Sequence, residues 1–189
     1  MADQSTEHPA GVRERILDAA LAVLRAGGVR QFTQVRVAQE AGARQSHLTY
    51  YFPTRHDLLE ATATHFADGL VRGAGHVMEQ GGGDAGPDPL LERLAHAIAD
   101  RGHMRMFLGI VVEADGDPAV RAIVARGTRR VEAALAEALG GGDGAAARAR
   151  AVLAELWGRG LYEFALRPDP ADAPVARVLD ALRDLATRP

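Results

Sequence analysis

The chain has 189 residues, of which 47% are apolar and 25% charged, so it can bury the core of one large domain or of a small domain joined to a larger one. It contains no cysteine, which excludes a disulfide framework, a cysteine-ligated zinc finger and a cysteine nucleophile. No apolar run approaches the roughly 18 residues of a membrane span, and residues 1–15 lack the basic start and apolar middle of a signal peptide. We therefore expect a soluble, cytoplasmic protein.

The formal net charge is −3, but the charges are unevenly distributed along the chain. Residues 1–56 contain seven Arg against five acidic residues, whereas the remainder contains fifteen Arg against twenty acidic residues. All 22 basic residues are Arg, a side chain suited to bidentate contacts with phosphate and guanine. The codon bias of a GC-rich genome explains the absence of Lys equally well, so the basic N-terminal segment is the more informative observation.

The residue pattern predicts an all-α chain, because Ala, Leu, Arg and Glu dominate and no segment alternates between apolar and polar residues as a strand would. The first predicted helix covers about residues 11–26 and ends at two glycines. The second begins after Thr33, a favourable N-cap, and Gly42 breaks it. The third covers about residues 44–51 and is stopped by Pro53.

A fourth predicted helix starts near His56, and five more follow, which gives about nine in total. The predicted ranges of the last five are 89–101, 103–114, 118–139, 145–166 and 173–186. Segments rich in Gly, Asp and Pro separate these helices as loops.

The second and third predicted helices form a candidate helix-turn-helix at about residues 33–52. Such a motif needs two short helices joined by a tight turn, so that one rests on the duplex while the other enters the major groove. Ala38 is small where the helices approach each other, Gly42 permits the turn, and Leu48 anchors the second helix to the core.

The helical wheel predicts which side chains of the third helix face outward. With Leu48 inward and about 100° per residue, Phe52 returns to the core and the outward side chains are polar or amphipathic: Arg44, Gln45, Ser46, His47, Thr49 and Tyr50. Arg suits guanine and Gln suits adenine, and both lie at the helix end that usually reaches base edges. Any helical hairpin has a polar face, but a merely solvated one normally mixes both signs, and this one has no Asp or Glu.

Residues 15–59 resemble the TetR-type regulator family. The matching features are Ile16, Ala19-Ala20, Gly28, Phe32-Thr33, Val37-Ala38, Ala41-Gly42, Leu48, Tyr51-Phe52, Arg55 and Leu58-Leu59. The resemblance implies a three-helix helix-turn-helix DNA-binding domain at residues 10–70, followed by a helical effector-binding and dimerisation domain at residues 71–189. It also implies a palindromic operator in double-stranded DNA as the partner.

The resemblance assigns DNA contacts to the start of the second helix and to the third. Carried over position by position, these are Thr33, Gln34, Arg44, Gln45, Ser46, His47, Thr49, Tyr50 and Tyr51. Arg55 stands where the family usually has a phosphate-binding Lys. One departure is that the family most often has Tyr directly after the anchoring Leu, where this chain has Thr49 and places Tyr one residue later.

Family members commonly dimerise through their last two helices, which form a four-helix bundle. Predicted helices eight and nine carry enough apolar residues for this: Val152, Leu153, Leu156, Trp157, Leu161 and Phe164, then Val175, Val178, Leu179, Leu182 and Leu185. The alternative is that these residues close the core of the monomer. We expect a homodimer, because one short recognition helix reads too few base pairs for tight binding.

Family members also commonly bind a small effector in the C-terminal domain. The candidate lining residues are His65, Phe66, His96, Met104, Phe107, Trp157 and Tyr162. Met and aromatic residues at helical spacing more often belong to an ordinary core. The seven His show no local metal-ligand spacing, so we expect neither a metal nor a cofactor.

The predicted function is therefore a repressor that a small molecule releases from its operator. A DNA-binding regulator without a small effector, or an activator, is the alternative. An enzyme is not indicated, because the sequence offers no Ser/His/Asp pattern, no metal motif and no glycine-rich phosphate loop after a strand.

Overall fold

The structure, a computed structural model, describes residues 9–80, 88–166, 179, 180 and 182–184, with the backbone alone at 9, 10, 73–80 and 88. All regular structure in these ranges is helical, which confirms the predicted all-α fold with its N-terminal helix-turn-helix. The α-helices are α1 Pro9–Gly27, α2 Gln34–Glu40, α3 Gln45–Tyr51, α4 Arg55–Gln80, α5 Asp88–Ala99, α6 Arg101–Gly116, α7 Pro118–Ala138 and α8 Ala145–Leu166, and a 3₁₀ helix covers Val29–Gln31.

Local capping explains where the helices begin. Thr33 caps α2 as predicted, with its hydroxyl accepting from Arg36 N at 3.2 Å. Asp117 caps α7 by accepting from Ala119 N at 2.8 Å, ahead of the proline at the first helical position. Helix α6 begins two residues earlier than predicted, because Asp100 accepts from His103 N at 2.7 Å and acts as the N-cap.

Only part of the predicted ninth helix falls in the described residues. Residues 179, 180 and 182–184 are helical, and the side chains of Leu179 and Leu182 are buried. The rest of the predicted range, including Val175, Val178 and Leu185, lies outside the described residues.

Two groups of buried apolar side chains hold the helices together. The first packs α1 to α3 and the start of α4 around Phe32 and Leu48, and it also takes in Met106 and Ile110 of α6 and Ile123 of α7. Each fully buried side chain of this size contributes about 1.5–3 kcal/mol. The N-terminal unit, defined here as α1 to α3 with the first turns of α4, therefore shares its core with α6 and α7. The division at residue 70 remains a prediction.

The second group of buried side chains joins α4 to α8 and the described residues 179–184. Its fully enclosed members include Leu91 of α5, Leu135 of α7, Leu156 of α8 and Leu182. Helix α8 thus packs its Val152, Leu153 and Leu156 side chains into the core of its own protomer. These three residues were candidates for the dimer face, and the structure gives them the alternative role of closing the monomer core.

Candidate functional site

Helix α3 presents a polar surface to solvent. Leu48 is completely buried and Phe52 is 3% exposed, so both anchor α3 as predicted. The side chains at its start are exposed: Arg44, Gln45, Ser46 and His47. Within the described ranges none of these four side chains forms a hydrogen bond or an ion pair. The predicted orientation is confirmed at these positions, and four polar side chains are available to a partner.

The outward surface of α3 continues through Tyr50 rather than Thr49. Tyr50 is 80% exposed and its ring meets that of Tyr51 edge-on, with centroids 5.2 Å apart. Thr49 is half-buried, and its hydroxyl donates to Gln45 O at 3.1 Å and to Ser46 O at 3.2 Å, back along the helix. We name the exposed side chains of Arg44, Gln45, Ser46, His47 and Tyr50 the recognition surface.

Two predicted DNA-contacting residues at the start of α2 have structural partners. Thr33 is the exposed N-cap described above. The Gln34 side chain donates from Nε2 to Phe52 O at 2.7 Å and so joins the start of α2 to the end of α3. Because it links the two helices of the motif, Gln34 fixes the angle at which α3 is presented.

Arg55, at the start of α4, is bonded to the protein on several sides. Its Nε donates to Phe32 O at 3.0 Å and its Nη2 to Val29 O at 3.2 Å, which satisfies two carbonyl groups around the 3₁₀ helix. Its Nη1 donates to Glu113 Oε1 of α6 at 2.8 Å. The sequence predicted a phosphate contact here, whereas the structure uses the guanidinium to join the N-terminal unit to α6.

Helix α6 makes three further contacts with the N-terminal unit. Asp100, its N-cap, forms an ion pair with Arg25 near the end of α1, with Arg25 Nη2 and Asp100 Oδ2 3.2 Å apart. Arg105 Nη1 donates to Arg25 O, also at 3.2 Å. A Cβ on Gly109 would lie 3.5 Å from the Val29 side chain, so α6 passes close to the 3₁₀ helix. The end of α1 and the start of α4 are therefore both attached to α6.

A cavity of about 100 Å³ lies against α6 and is bounded by α1 and α4 to α8. Four of the residues predicted to contact an effector line it: Phe66, Met104, Phe107 and Trp157. The Phe107 and Trp157 rings are stacked, with centroids 3.7 Å apart and planes 9° from parallel. The helical spacing of these four residues in the sequence predicted this grouping, because α4, α6 and α8 each direct an apolar stripe toward the interior.

The other three predicted lining residues are not in the cavity wall. His65 Nε2 lies 2.8 Å from Asp18 Oδ1 and joins α4 to α1. His96 bonds through Nδ1 to Glu92 O of its own helix at 2.7 Å. Tyr162 is 65% exposed on α8. These positions bear aromatic rings, but their register on each helix directs them away from the interior.

His103 lines the cavity and was not among the predicted residues. Burial lowers the pKa of its imidazole, and the nearby Arg25 guanidinium lowers it further, while Asp100 acts in the opposite direction. The ring is therefore neutral at pH 7. Its spacing of four residues from Phe107 on α6 was the signal that could have found it.

A stripe of small and apolar residues runs along the solvent side of α8. Six exposed positions recur at alternating spacings of four and three residues: Ala147, Ala151, Ala154, Gly158, Leu161 and Ala165. We name this set the α8 stripe. The spacing matches the seam along which one helix packs against another, whereas a solvated helix face normally carries charged residues.

Metal and membrane sites are not indicated in the ranges that the structure covers. No group of three or more His, Asp or Glu in those ranges is arranged to hold a metal ion. Among the described helices, none combines the length and the apolar character needed to cross a membrane.

Comparison with known proteins gives a consistent result. A family model described as "Bacterial regulatory proteins, tetR family" matches residues 16–62. A putative TetR-family transcriptional regulator from Rhodococcus sp. superposes with a TM-score of 0.74 at 22% identity, over 94% of this chain and 100% of its own. The putative transcriptional regulator SCO7518 from Streptomyces coelicolor A3(2) gives 0.65 at 26% identity, over 94% and 99%.

A further similar structure is that of a ligand complex. Multidrug binding protein EbrR complexed with ethidium has a TM-score of 0.63 at 26% identity, over 94% of this chain and 99% of its own. A search of curated protein sequences gives no match. The sequence likeness is thus concentrated in the segment that carries the recognition surface, and the structural likeness extends over the helical layout.

Proposed function

We propose that the chain, whose residues 16–62 match the model of the tetR family of bacterial regulatory proteins, is a cytoplasmic repressor of that type. It occupies its operator as a homodimer and leaves it when a small molecule enters the cavity. It acts by binding alone and turns over no substrate. The observation that carries the proposal is the position of α6, which lines the cavity and also bonds to the N-terminal unit through Arg105 and Glu113.

The recognition surface supports sequence-specific binding. Arg44 and Gln45 lie exposed at the N-terminal end of α3, the end that approaches base edges when a recognition helix enters the major groove. Ser46, His47 and Tyr50 offer further donors and acceptors to bases or phosphates. Thr33, Thr49 and Tyr51 border this surface, and we retain them as candidate backbone contacts.

The α8 stripe supports a homodimer, together with the predicted ninth helix. Small residues let two helices approach closely, and Leu161 provides an exposed apolar side chain at the stripe. We propose that the stripe packs against α8 or the ninth helix of a second copy. The dimer would then place two recognition helices about 34 Å apart, as two successive major grooves on one side of the duplex require.

Substitution within the stripe tests the dimer. Leu161→Asp places a charge in the proposed interface, and sedimentation velocity should then show a monomer with weakened operator binding. Val112→Asp is the matched control, because Val112 is 74% exposed on α6 and lies outside the stripe. A Leu161→Asp protein that remains dimeric would contradict this interface.

The cavity and the similarity to EbrR support release by an effector. Its wall is predominantly apolar, and EbrR, at 26% identity, is a multidrug binding protein with ethidium and proflavin complexes. An occupant that displaces α6 or α4 would move both attachments of the N-terminal unit and change the separation of the recognition helices. A ligand acts in this way only if it binds the displaced arrangement more tightly.

The release mechanism can be tested by distance measurements, because the chain has no native cysteine. A spin label on Gln39→Cys, an exposed position of α2, reports the distance between the two N-terminal units of a dimer. We expect saturation with benzyl alcohol to change this distance and to lower operator affinity. A probe that binds the cavity, as seen by fluorescence of Trp157, without altering either quantity would contradict effector release.

A second candidate is a regulator without a small effector, and the cavity volume favours it. Pockets for drug-sized molecules occupy about 300–1,000 Å³, well above the volume found here. Under this alternative the cavity is a packing defect, and no probe that enters it shifts operator binding.

A further inference from the structure

We propose that the cavity takes an uncharged molecule of about one aromatic ring carrying a single hydrogen-bonding group, and that it rejects organic cations. This inference rests on the proposed effector site and adds the chemical class of the ligand. It separates this chain from EbrR, which has been solved with ethidium and with proflavin.

The charge of the cavity wall limits the charge of the ligand. Within the part of the chain that the structure covers, the cavity is lined by 23 residues that include no Asp, Glu, Lys or Arg. Its one ionisable side chain, His103, has a lowered pKa. Because a charge buried without a partner carries a large desolvation cost, either sign of charge on a ligand would oppose binding. An enclosed organic cation would need a carboxylate that this wall does not supply.

The volume of the cavity limits the size of the ligand. A dry apolar cavity of about 150 Å³ accepts benzene, and the present cavity, at about 100 Å³, is somewhat smaller. Met104 and Met106 lie in the wall, and their unbranched side chains adjust to an occupant more easily than branched ones. The stacked rings of Phe107 and Trp157 offer a flat boundary to a planar molecule. One ring fits this space with small adjustments, whereas a fused three-ring system does not.

The polar groups of the cavity wall limit the number of hydrogen bonds that a ligand can form. The polar side chains of the wall are Thr62, Thr128 and His103. Thr128 is half-buried on α7, whereas Thr62 is fully buried and its hydroxyl already donates to Leu58 O at 2.6 Å. The His103 imidazole is different, because its Nδ1 is buried and forms no hydrogen bond within the described residues, although it lies 3.3 Å from Asp100 Oδ1. A neutral imidazole has one donor and one acceptor. It can therefore pair with one hydroxyl of a ligand, while the remaining surface of that ligand meets apolar side chains.

A series of single-ring probes tests the proposal on the full-length protein. Trp157 is the only tryptophan of the chain and lines the cavity, so its fluorescence reports occupancy. We expect benzyl alcohol to bind about 3- to 10-fold more tightly than toluene, the range of one hydrogen bond. We expect benzylammonium and benzoate to bind at least about 100-fold more weakly than benzyl alcohol, because each buries an unpaired charge.

Three variants show whether the binding site is the cavity. Gly127 lines it, and a Cβ at this position would meet nothing within 4 Å, so Gly127→Leu fills space without a backbone clash. It should abolish binding of all neutral probes, whereas Gly116→Leu, at an exposed glycine of α6 with equally open surroundings, should not. His103→Phe should retain toluene and lose the preference for benzyl alcohol.

The outcomes separate the ligand class from the proposed effector response. Benzylammonium binding as tightly as benzyl alcohol would overturn the inference and leave effector release standing. Failure of toluene and benzyl alcohol to bind at all would also overturn it. Binding in the predicted order without a change in operator affinity would support the ligand class and contradict effector release instead.

Discussion

Replacing Arg55 with Ala distinguishes a phosphate contact from an internal connection. The family resemblance predicts that this side chain grips the DNA backbone, whereas the structure bonds it to Phe32 O, Val29 O and Glu113. Both interpretations predict weaker operator binding, so affinity alone cannot separate them. They differ in their effect on folding stability and on the salt dependence of binding.

The magnitude follows from the bonds that are lost. Removing the guanidinium leaves Phe32 O without its donor, at about 1 kcal/mol, the lower end of the range for unsatisfied groups, whereas Val29 O still accepts from Phe32 N at 3.1 Å. We use the lower end because the Arg55 side chain is 41% exposed and water can reach it. The half-exposed ion pair with Glu113 adds at most about 1 kcal/mol. The total is about 1–2 kcal/mol, or a fall in Tm of roughly 2–8 °C for a chain of this length.

Urea unfolding and DNA titrations at several salt concentrations measure the two effects. We expect Arg55→Ala to lower the free energy of unfolding by the amount given above and to leave the slope of log affinity against log salt unchanged. Arg44→Ala is the matched control and should keep wild-type stability. Glu113→Gln should cost at most about 1 kcal/mol, because only the charge of one partner is removed. An Arg55→Ala protein of wild-type stability, with a salt slope reduced by about 0.9, would refute the internal role and establish a phosphate contact.

Three further predictions concern the turn after α1, the cap of α6 and the recognition surface. Gly28 has φ +66° and ψ −174°, a conformation almost confined to glycine. Gly28→Ala should therefore lower the free energy of unfolding by about 1–3 kcal/mol in a urea titration. Gly69→Ala, inside α4, should raise the free energy of unfolding slightly in the same titration. Burial opposes ionisation of Asp100, but the His103 backbone N–H, the His103 ring and Arg25 together hold the pKa of Asp100 below its ordinary value. Its charge therefore stabilises the fold at neutral pH. The free energy of unfolding of wild type should exceed that of Asp100→Asn by about 0.5 kcal/mol for so exposed a pair, and this difference should disappear as the pH falls through the lowered pKa. A difference that grows toward pH 3 would contradict the direction of the effect. Arg44→Ala and Gln45→Ala should reduce discrimination at one base pair each by about 1–3 kcal/mol in competition binding, and unchanged base preference would remove them from base readout.

Much of the fold could be predicted from local signals in the sequence. Thr33, Gly42 and Pro118 set boundaries through a side-chain cap, a positive φ of 60° and a fixed φ respectively, and each acts within one helical turn. The predicted range of α8 agrees with the structure at both ends. The wheel centred on Leu48 placed the recognition surface outward as observed, because a fully buried anchor determines the register of a short helix. It also placed Thr49 outward, and the structure half-buries that side chain.

Tertiary partners could not be predicted in the same way. Nothing local indicates that Gln34 bonds to Phe52 or that Arg55 meets Glu113, since the second pair is 58 residues apart in the chain. The same limit applies to α8, where apolar residues on both sides of the helix left the core face and the α8 stripe indistinguishable. His103 was missed for a related reason, because its place in the cavity depends on how α6 packs against α4 and α8.

Selection of bound DNA from a random pool tests the central claim most directly. The account predicts that the wild-type protein enriches an inverted repeat whose half-sites are centred about one helical turn apart, or a multiple of it. It also predicts that Arg44→Ala, at wild-type stability, relaxes the preference at one base pair of each half-site. A wild-type pool with no enriched sequence, or with one that is unchanged for Arg44→Ala and Gln45→Ala, would contradict reading of the operator by the recognition surface of α3.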